Sequence, residues 1–156
     1  MNVIHNYRGD IRVGREYTAV KCVGNFIRKR KRQRIVTDIY VDGGTRGSRI
    51  CLVDTSEHKT IVKNRDPAFG EKLTNNELEY LAVLYALDYI NNRHKKDNVT
   101  IYSDSKLIVN QINGEWRITT ERLQPLYDKC MKRMTDKIKI KWIRRDFNLA
   151  GIILED

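Results

Sequence analysis

The stretch Ile35-Val-Thr-Asp-Ile-Tyr-Val-Asp-Gly-Gly44 decides how the rest of the chain is read. It is rich in β-branched and aromatic residues, ends in an aspartate and is closed by two glycines, so it predicts a strand that stops at a turn. Strand-like runs follow at 48–54 and 59–62, with turn residues between them. Three strands joined by short turns predict an antiparallel meander.

Downstream the period changes. Leu78, Leu81, Ala82, Tyr85, Ala86 and Tyr89 recur at helical spacing, and Thr74-Asn-Asn-Glu77 supplies a capping box, so 74–90 is predicted as a helix. A β-branched run at 99–103, a short helix at 105–112 and a longer one at 120–134 come next. A strand at 137–143, apolar alternating with basic, precedes a last helix from near Asn148. The order β-β-β-α-β-α-α-β-α implies an α/β fold: a mixed five-stranded sheet, three antiparallel strands then two parallel ones reached by helical crossovers, flanked by helices.

Upstream lies a different composition. Of the formal charge of +10, residues 1–34 carry +8, ten lysines and arginines against Asp10 and Glu16, much of it in Arg28-Lys-Arg-Lys-Arg-Gln-Arg34. Like charges this dense repel and stay solvated, which places a boundary near residue 34. Residues 1–34 are expected to form a basic arm or small docking extension, and 35–156 the main domain.

The charge favours a polyanionic partner, nucleic acid first and an anionic membrane surface second. No apolar run reaches the roughly 20 residues of a membrane helix and no signal-like segment opens the chain, so a cytoplasmic monomer without membrane contact is expected. Cys22, Cys51 and Cys130 are widely spaced and lack CxxC spacing, which suggests neither a disulfide framework nor a zinc site.

In a chain this basic, carboxylates at the ends of apolar elements need a reason, because burying an unpaired charge is costly. Asp42 ends the first strand, Glu79 lies in the first turns of the capped helix on a stripe with Ala82, Val83 and Ala86, and Asp104 follows 99–103. Three acids brought together would need neutralising by a hard divalent cation with oxygen ligands, above all Mg²⁺ or Mn²⁺. Each acid alone has a plain alternative as a turn former or a helix-dipole partner.

The surrounding words decide between these readings. Tyr40-Val-Asp-Gly-Gly44, Thr74-Asn-Asn-Glu-Leu-Glu79 and Tyr102-Ser-Asp-Ser-Lys106, followed by Val109-Asn-Gln-Ile-Asn-Gly-Glu-Trp116 and Trp142-Ile-Arg-Arg-Asp-Phe-Asn148, resemble the type 1 ribonuclease H family in its compact form without a basic protrusion. The resemblance covers 35–156 and implies the RNase H-like fold. It also implies that Asp42, Glu79 and Asp104 are catalytic and bind two Mg²⁺ ions, with Mn²⁺ able to substitute. The implied reaction is endonucleolytic hydrolysis of the RNA strand of an RNA–DNA hybrid, leaving 5′-phosphate and 3′-hydroxyl ends.

The pattern departs from the family in two places. Four residues after Asn148, where the resemblance requires a fourth acid, stands Ile152. Glu155, one helical turn on, Asp146 in the preceding loop, or nothing but water are the open replacements, with the two acids more simply read as surface groups. The histidine that many members place between the last strand and last helix is also absent.

For the substrate surface, the resemblance assigns Thr74 to a DNA phosphate and Asn75 and Asn76 to the minor groove. Thr74 doubles as helix cap. Backbone at Gly43 and Gly44 is suited to approach 2′-hydroxyls, and Lys106 and Arg145 to meet phosphates. Trp116 and Tyr127 are expected to pack in the core. Two other readings stay open: a structure-selective DNA nuclease of the resolvase kind, and a weakly catalytic hybrid-binding module.

Overall fold

The computed structural model describes residues 36–44, 48–64 and 72–155. The expected arm at 1–34 lies outside the described residues, as does the first residue of the expected opening strand. The strands are β1 (Val36–Gly44), β2 (Arg49–Asp54), β3 (Lys59–Asn64), β4 (Asn98–Ser103) and β5 (Ile138–Trp142). They form one sheet in the order β3-β2-β1-β4-β5. β1–β2 and β2–β3 pair antiparallel, β1–β4 and β4–β5 parallel, which is the mixed RNase H-like sheet expected from the element order.

The helices are α1 (Asn75–Arg93), α2 (Lys106–Ile112), α3 (Gln124–Met131) and α4 (Leu149–Glu155). One sheet face carries the main core: Ile39, Val41, Val99, Ile101, Ile138 and Ile140 meet Tyr80, Val83, Leu87 and Ile90 of α1, with α2 and α3 packed beyond. The other face carries a smaller cluster, Cys51 and Val53 against Ala150 and Leu154, where α4 packs on β1 and β2.

Three expectations need correcting. β1 does not stop at its glycines: Gly43 pairs with Ile50 and Gly44 with Arg49, so the turn comes later. The helix expected at 120–134 is shorter, with a 3-10 turn at Glu121–Leu123 before α3, and Pro125 sits in the first turn of α3, where its missing N–H costs no helical bond. Trp116 is not a core residue: it is 48% exposed, whereas Tyr127 does pack against the core. The buried face of α1 is also shifted from the expected stripe: Tyr80, Val83 and Leu87 are buried, whereas Leu81 and Tyr85 are only half-buried. Cys51 and Cys130 are free and buried.

Candidate active site

The site grows from one bare residue. A Cβ on Gly43 would stand 2.6 Å from the backbone nitrogen of Glu79 and closer still to the carbonyl of Leu78, so only glycine lets α1 settle on β1 at this level. That approach brings Glu79 beside the end of β1. Continuing the Tyr40–Tyr102 register by two residues sets Asp104, just past the end of β4, beside Asp42 of β1. Both project from the face that carries α4, and Asp42 lies next to Gly151, whose ideal Cβ would be 3.5 Å from Asp42 Oδ2.

The electrostatics follow from this crowding. Burial, then repulsion from Asp104, pushes Asp42 up to about 6 against the pull of Arg145 and the Gly43 N–H. Burial likewise raises Glu79 to about 7; a hydrogen bond with Ser105 opposes the rise, and Asp42 and Asp104 add to it. Two acids raised toward neutrality by burial and by the charge of neighbouring carboxylates mark a site short of positive charge. The donor set is three carboxylates without a thiolate or imidazole among them, which fits Mg²⁺ or Mn²⁺ and not zinc.

Neighbouring groups fix the acids. Asn148, fully buried, donates from Nδ2 to Asp104 Oδ1 at 2.9 Å and to the Val41 carbonyl at 3.0 Å, tying α4 to both strands. The Trp142 indole N–H donates to the Asp104 carbonyl at 3.0 Å. Asn75 donates to Glu79 Oε1 at 3.0 Å, and Ser105 caps α2 directly after Asp104. Asn148 serves in the sequence only as a landmark, and nothing local there singles out Ser105 or Gly151.

The expected contact residues surround the acids. Thr74 caps α1 in a reciprocal capping box with Glu77, and Asn75 and Asn76 are exposed in its first turn. Gly44 has no close neighbour beyond ordinary contact with Leu154. Lys106 is exposed, with its ammonium 4.6 Å from the Trp142 ring centroid. Arg145 donates to Asp104 Oδ2 at 3.3 Å and to Glu155 Oε1 at 2.7 Å. Glu155 thus pairs with Arg145, and Asp146 with Arg144 at 3.0 Å, both as exposed acids. Ile152 is 43% exposed.

A second titratable cluster was missed in the sequence. Asp54, Glu57 and His94 bring possible ligand atoms within 4.8 Å of one another. Its geometry is that of a closed hydrogen-bond network. Fully buried Asp54 accepts from Ser56 N at 2.9 Å, Ser56 Oγ at 2.7 Å, Tyr89 Oη at 2.9 Å and His94 Nε2 at 2.8 Å. His94 Nδ1 faces Asp97 Oδ2 at 3.0 Å, so both ring nitrogens lie against carboxylates, an arrangement that favours the charged imidazolium. Burial works against that charge, and the bonds to Asp97 and Asp54 outweigh it and raise the His94 pKa. Burial works against the Asp54 carboxylate too, and the bonds from Ser56, His94, Tyr89 and the Glu57 N–H overcome it to hold Asp54 down at about 2.

A cavity of about 310 Å³ between α1 and the β2–β3 edge is lined by Ile50, Leu78, Leu81, Leu84 and Tyr85, and none of the three acids opens into it. Among the described residues, no helix is long and apolar enough to cross a membrane.

A mixed five-stranded sheet whose central parallel strands and first helix converge three carboxylates defines an α/β protein of RNase H-like fold. The chain belongs to the reverse transcriptase-like family, whose model matches residues 41–154. The bifunctional protein Rv2228c of Mycobacterium tuberculosis is 29% identical over 117 residues, 70% of this chain and 32% of that protein, so the chain spans about a third of this relative's length. LC11-RNase H1, from compost, solved in complex with an RNA/DNA hybrid, superimposes with a TM-score of 0.64 at 26% identity, over 76% of this chain and 92% of that one. The N-terminal RNase H domain of Rv2228c, solved as a fusion with maltose binding protein, shares the fold with a TM-score of 0.59 at 22% identity, over 77% of this chain and 95% of that one.

Proposed function

We propose that this chain is an endoribonuclease that hydrolyses the RNA strand of RNA–DNA hybrids, with Asp42, Glu79 and Asp104 as its catalytic, metal-holding acids. The observation that carries the reading is the convergence of these three carboxylates at the ends of β1 and β4 and on α1, with Asp42 and Glu79 both raised toward neutrality. When bound between them, divalent ions, Mg²⁺ or Mn²⁺, supply the Lewis acidity and charge neutralisation that phosphodiester hydrolysis needs, leaving 5′-phosphate and 3′-hydroxyl ends.

The chain's own groups do the placing. Asn148 orients the Asp104 carboxylate through Oδ1, leaving Oδ2 turned toward Arg145 and the open side. Arg145, 60% exposed on its side chain, is placed to meet a substrate phosphate as it releases Asp104. Thr74, Asn75 and Asn76 present hydroxyl, amides and the N-terminal N–H groups of α1 to the nucleic acid, and the backbone of Gly43 and Gly44 lines the approach to the acids. Lys106 adds a phosphate contact. The basic segment 1–34, read as an arm preceding the catalytic domain 35–156 in sequence, increases affinity for any polyanion without choosing sequence.

The hybrid assignment is supported by the bound ligand of LC11-RNase H1 and by the match of Thr74, Asn75 and Asn76 to the family words. A substrate panel tests it: labelled RNA–DNA hybrid, double-stranded RNA, double-stranded DNA and a four-way junction, each with Mg²⁺ and with EDTA. Hybrid-selective cutting with 5′-phosphate product ends is expected. Junction cutting would replace the assignment with a resolvase-like activity, and hybrid binding without cutting would replace it with a binding module.

A further inference from the structure

The face that carries Asp42 and Asp104 does not end at the acids. Alternation along β1 and β4 puts Tyr40 and Tyr102 two residues below them on the same side, about 7 Å away along the strands. Tyr40 pairs with Tyr102 in the sheet and Tyr102 with Lys141 of β5; the next row down is Asp38, Thr100 and Lys139. The tyrosine rings stack, with centroids 5.1 Å apart and planes 23° apart. α4 packs on β1 and β2, so among the described helices none covers this side of β4 and β5. Tyr102 is half-exposed there, and Lys139 and Lys141 are exposed.

We propose that this face binds an unpaired polynucleotide strand continuing from the cleavage site, with Tyr102 stacking on a base and Lys141 and Lys139 meeting its phosphates. Tyr40 covers one face of the Tyr102 ring, so the other is turned toward β5 and its lysines. Aromatic faces flanked by cations are what sequence-tolerant single-strand binding uses, since each base offers a π-face and each nucleotide a charge. The row spacing is close to the phosphate spacing of an extended strand. Asp38 closes the β1 side of the lower row and directs the path along β5.

A rival explanation exists for the lysines alone. β5 is an edge of the sheet, and edge lysines discourage pairing with other chains. That role accounts for neither the half-buried, stacked tyrosine pair nor its continuity with the acids.

The inference rests on the nucleic-acid reading of the site, and its test is separated from catalysis by working in EDTA with the full chain. Fluorescence anisotropy would compare a blunt RNA–DNA hybrid, the same hybrid with a ten-nucleotide single-stranded extension, and the free single strand, as RNA and as DNA. The extension is expected to tighten wild-type binding by about tenfold, the effect of one to two stacked or phosphate-contacted nucleotides. Tyr102→Ala is expected to remove most of that gain, Tyr102→Phe to keep it, and the double change Lys139→Gln with Lys141→Gln to reduce both the gain and its salt dependence. Because every variant keeps residues 1–34, their non-specific attraction cancels in the comparison. An extension that adds nothing in wild type, or a gain that survives Tyr102→Ala, overturns the proposal. If the hybrid is never cut in Mg²⁺ yet the free strand binds and depends on Tyr102, the hybrid assignment fails while this face stands.

Discussion

Replacing Gly43 by alanine isolates the contact that assembles the site. The added Cβ would lie 2.6 Å from Glu79 N and nearer to the Leu78 carbonyl, all backbone atoms that no rotamer change can move. Ordinary contact needs about 3.5 Å or more, so α1 must retreat from β1 by about 1 Å. Overpacking of this kind costs roughly 1–3 kcal/mol, which lowers Tm by about 4–12 °C in a domain of this size. The same retreat draws Glu79 away from Asp42 and Asp104, and a misplacement near 1 Å costs on the order of 10²-fold in rate. Thermal unfolding by circular dichroism and kcat/KM on a labelled hybrid read the two effects. Gly44→Ala is the control: its Cβ would meet nothing nearer than Leu154 Cδ1 at 3.7 Å, and a change within about 0.5 kcal/mol is expected. A Gly43→Ala protein that melts and cuts like wild type would refute the reasoning.

Further outcomes follow from the same geometry. Asp42 and Glu79 have native pKa values raised to about 6 and 7, so the folded protein binds more protons than the unfolded chain; their contribution to stability is full below pH 4 and is lost as pH rises through 7. Added Mg²⁺ should therefore raise Tm more at pH 8 than at pH 5, and an equal rise at both would contradict the cluster's coupling. His94→Ala leaves Asp54 buried without its cation and should cost about 3–5 kcal/mol in urea unfolding at pH 6. Because the His94 pKa is raised, its contribution is full below the ordinary histidine value and lost as pH climbs through the raised one, so the gap between wild type and variant should narrow in alkaline solution. Asp146→Asn and Glu155→Gln, both exposed ion-pair partners, should change Mg²⁺ affinity less than threefold by calorimetry; a loss of tenfold or more would make that residue the replacement for the missing fourth acid.

The order of elements and the mixed sheet were legible because each element rests on local pattern: β-branched runs around Val41 and Ile101, and helical spacing around Ala82 and Ala86. The three acids were legible because each stands at an element boundary inside a short recognisable word. What escaped depends on pairs distant in sequence. Asn148 acquires its role by reaching Val41 and Asp104, 107 and 44 residues away, and His94 by reaching Asp54 across 40 residues. No local signal marks either pairing. Gly43 was read as room for substrate, and the helix turns out to use that room, a three-dimensional fact that the Gly-Gly word does not carry. Trp116 was assigned to the core from residue type alone, which says nothing about where the chain runs after α2.

Cleavage of a labelled RNA–DNA hybrid by wild type and Asp104→Asn, with Mg²⁺, Mn²⁺ or EDTA, tests the central assignment most directly. The asparagine keeps the Oδ1 acceptor for Asn148, so the variant should fold with wild-type Tm. Metal-dependent cutting by wild type that falls at least 10³-fold in the variant, with hybrid binding retained, is the predicted result. A wild type that binds but does not cut in either metal, or an Asp104→Asn protein that cuts undiminished, would contradict it.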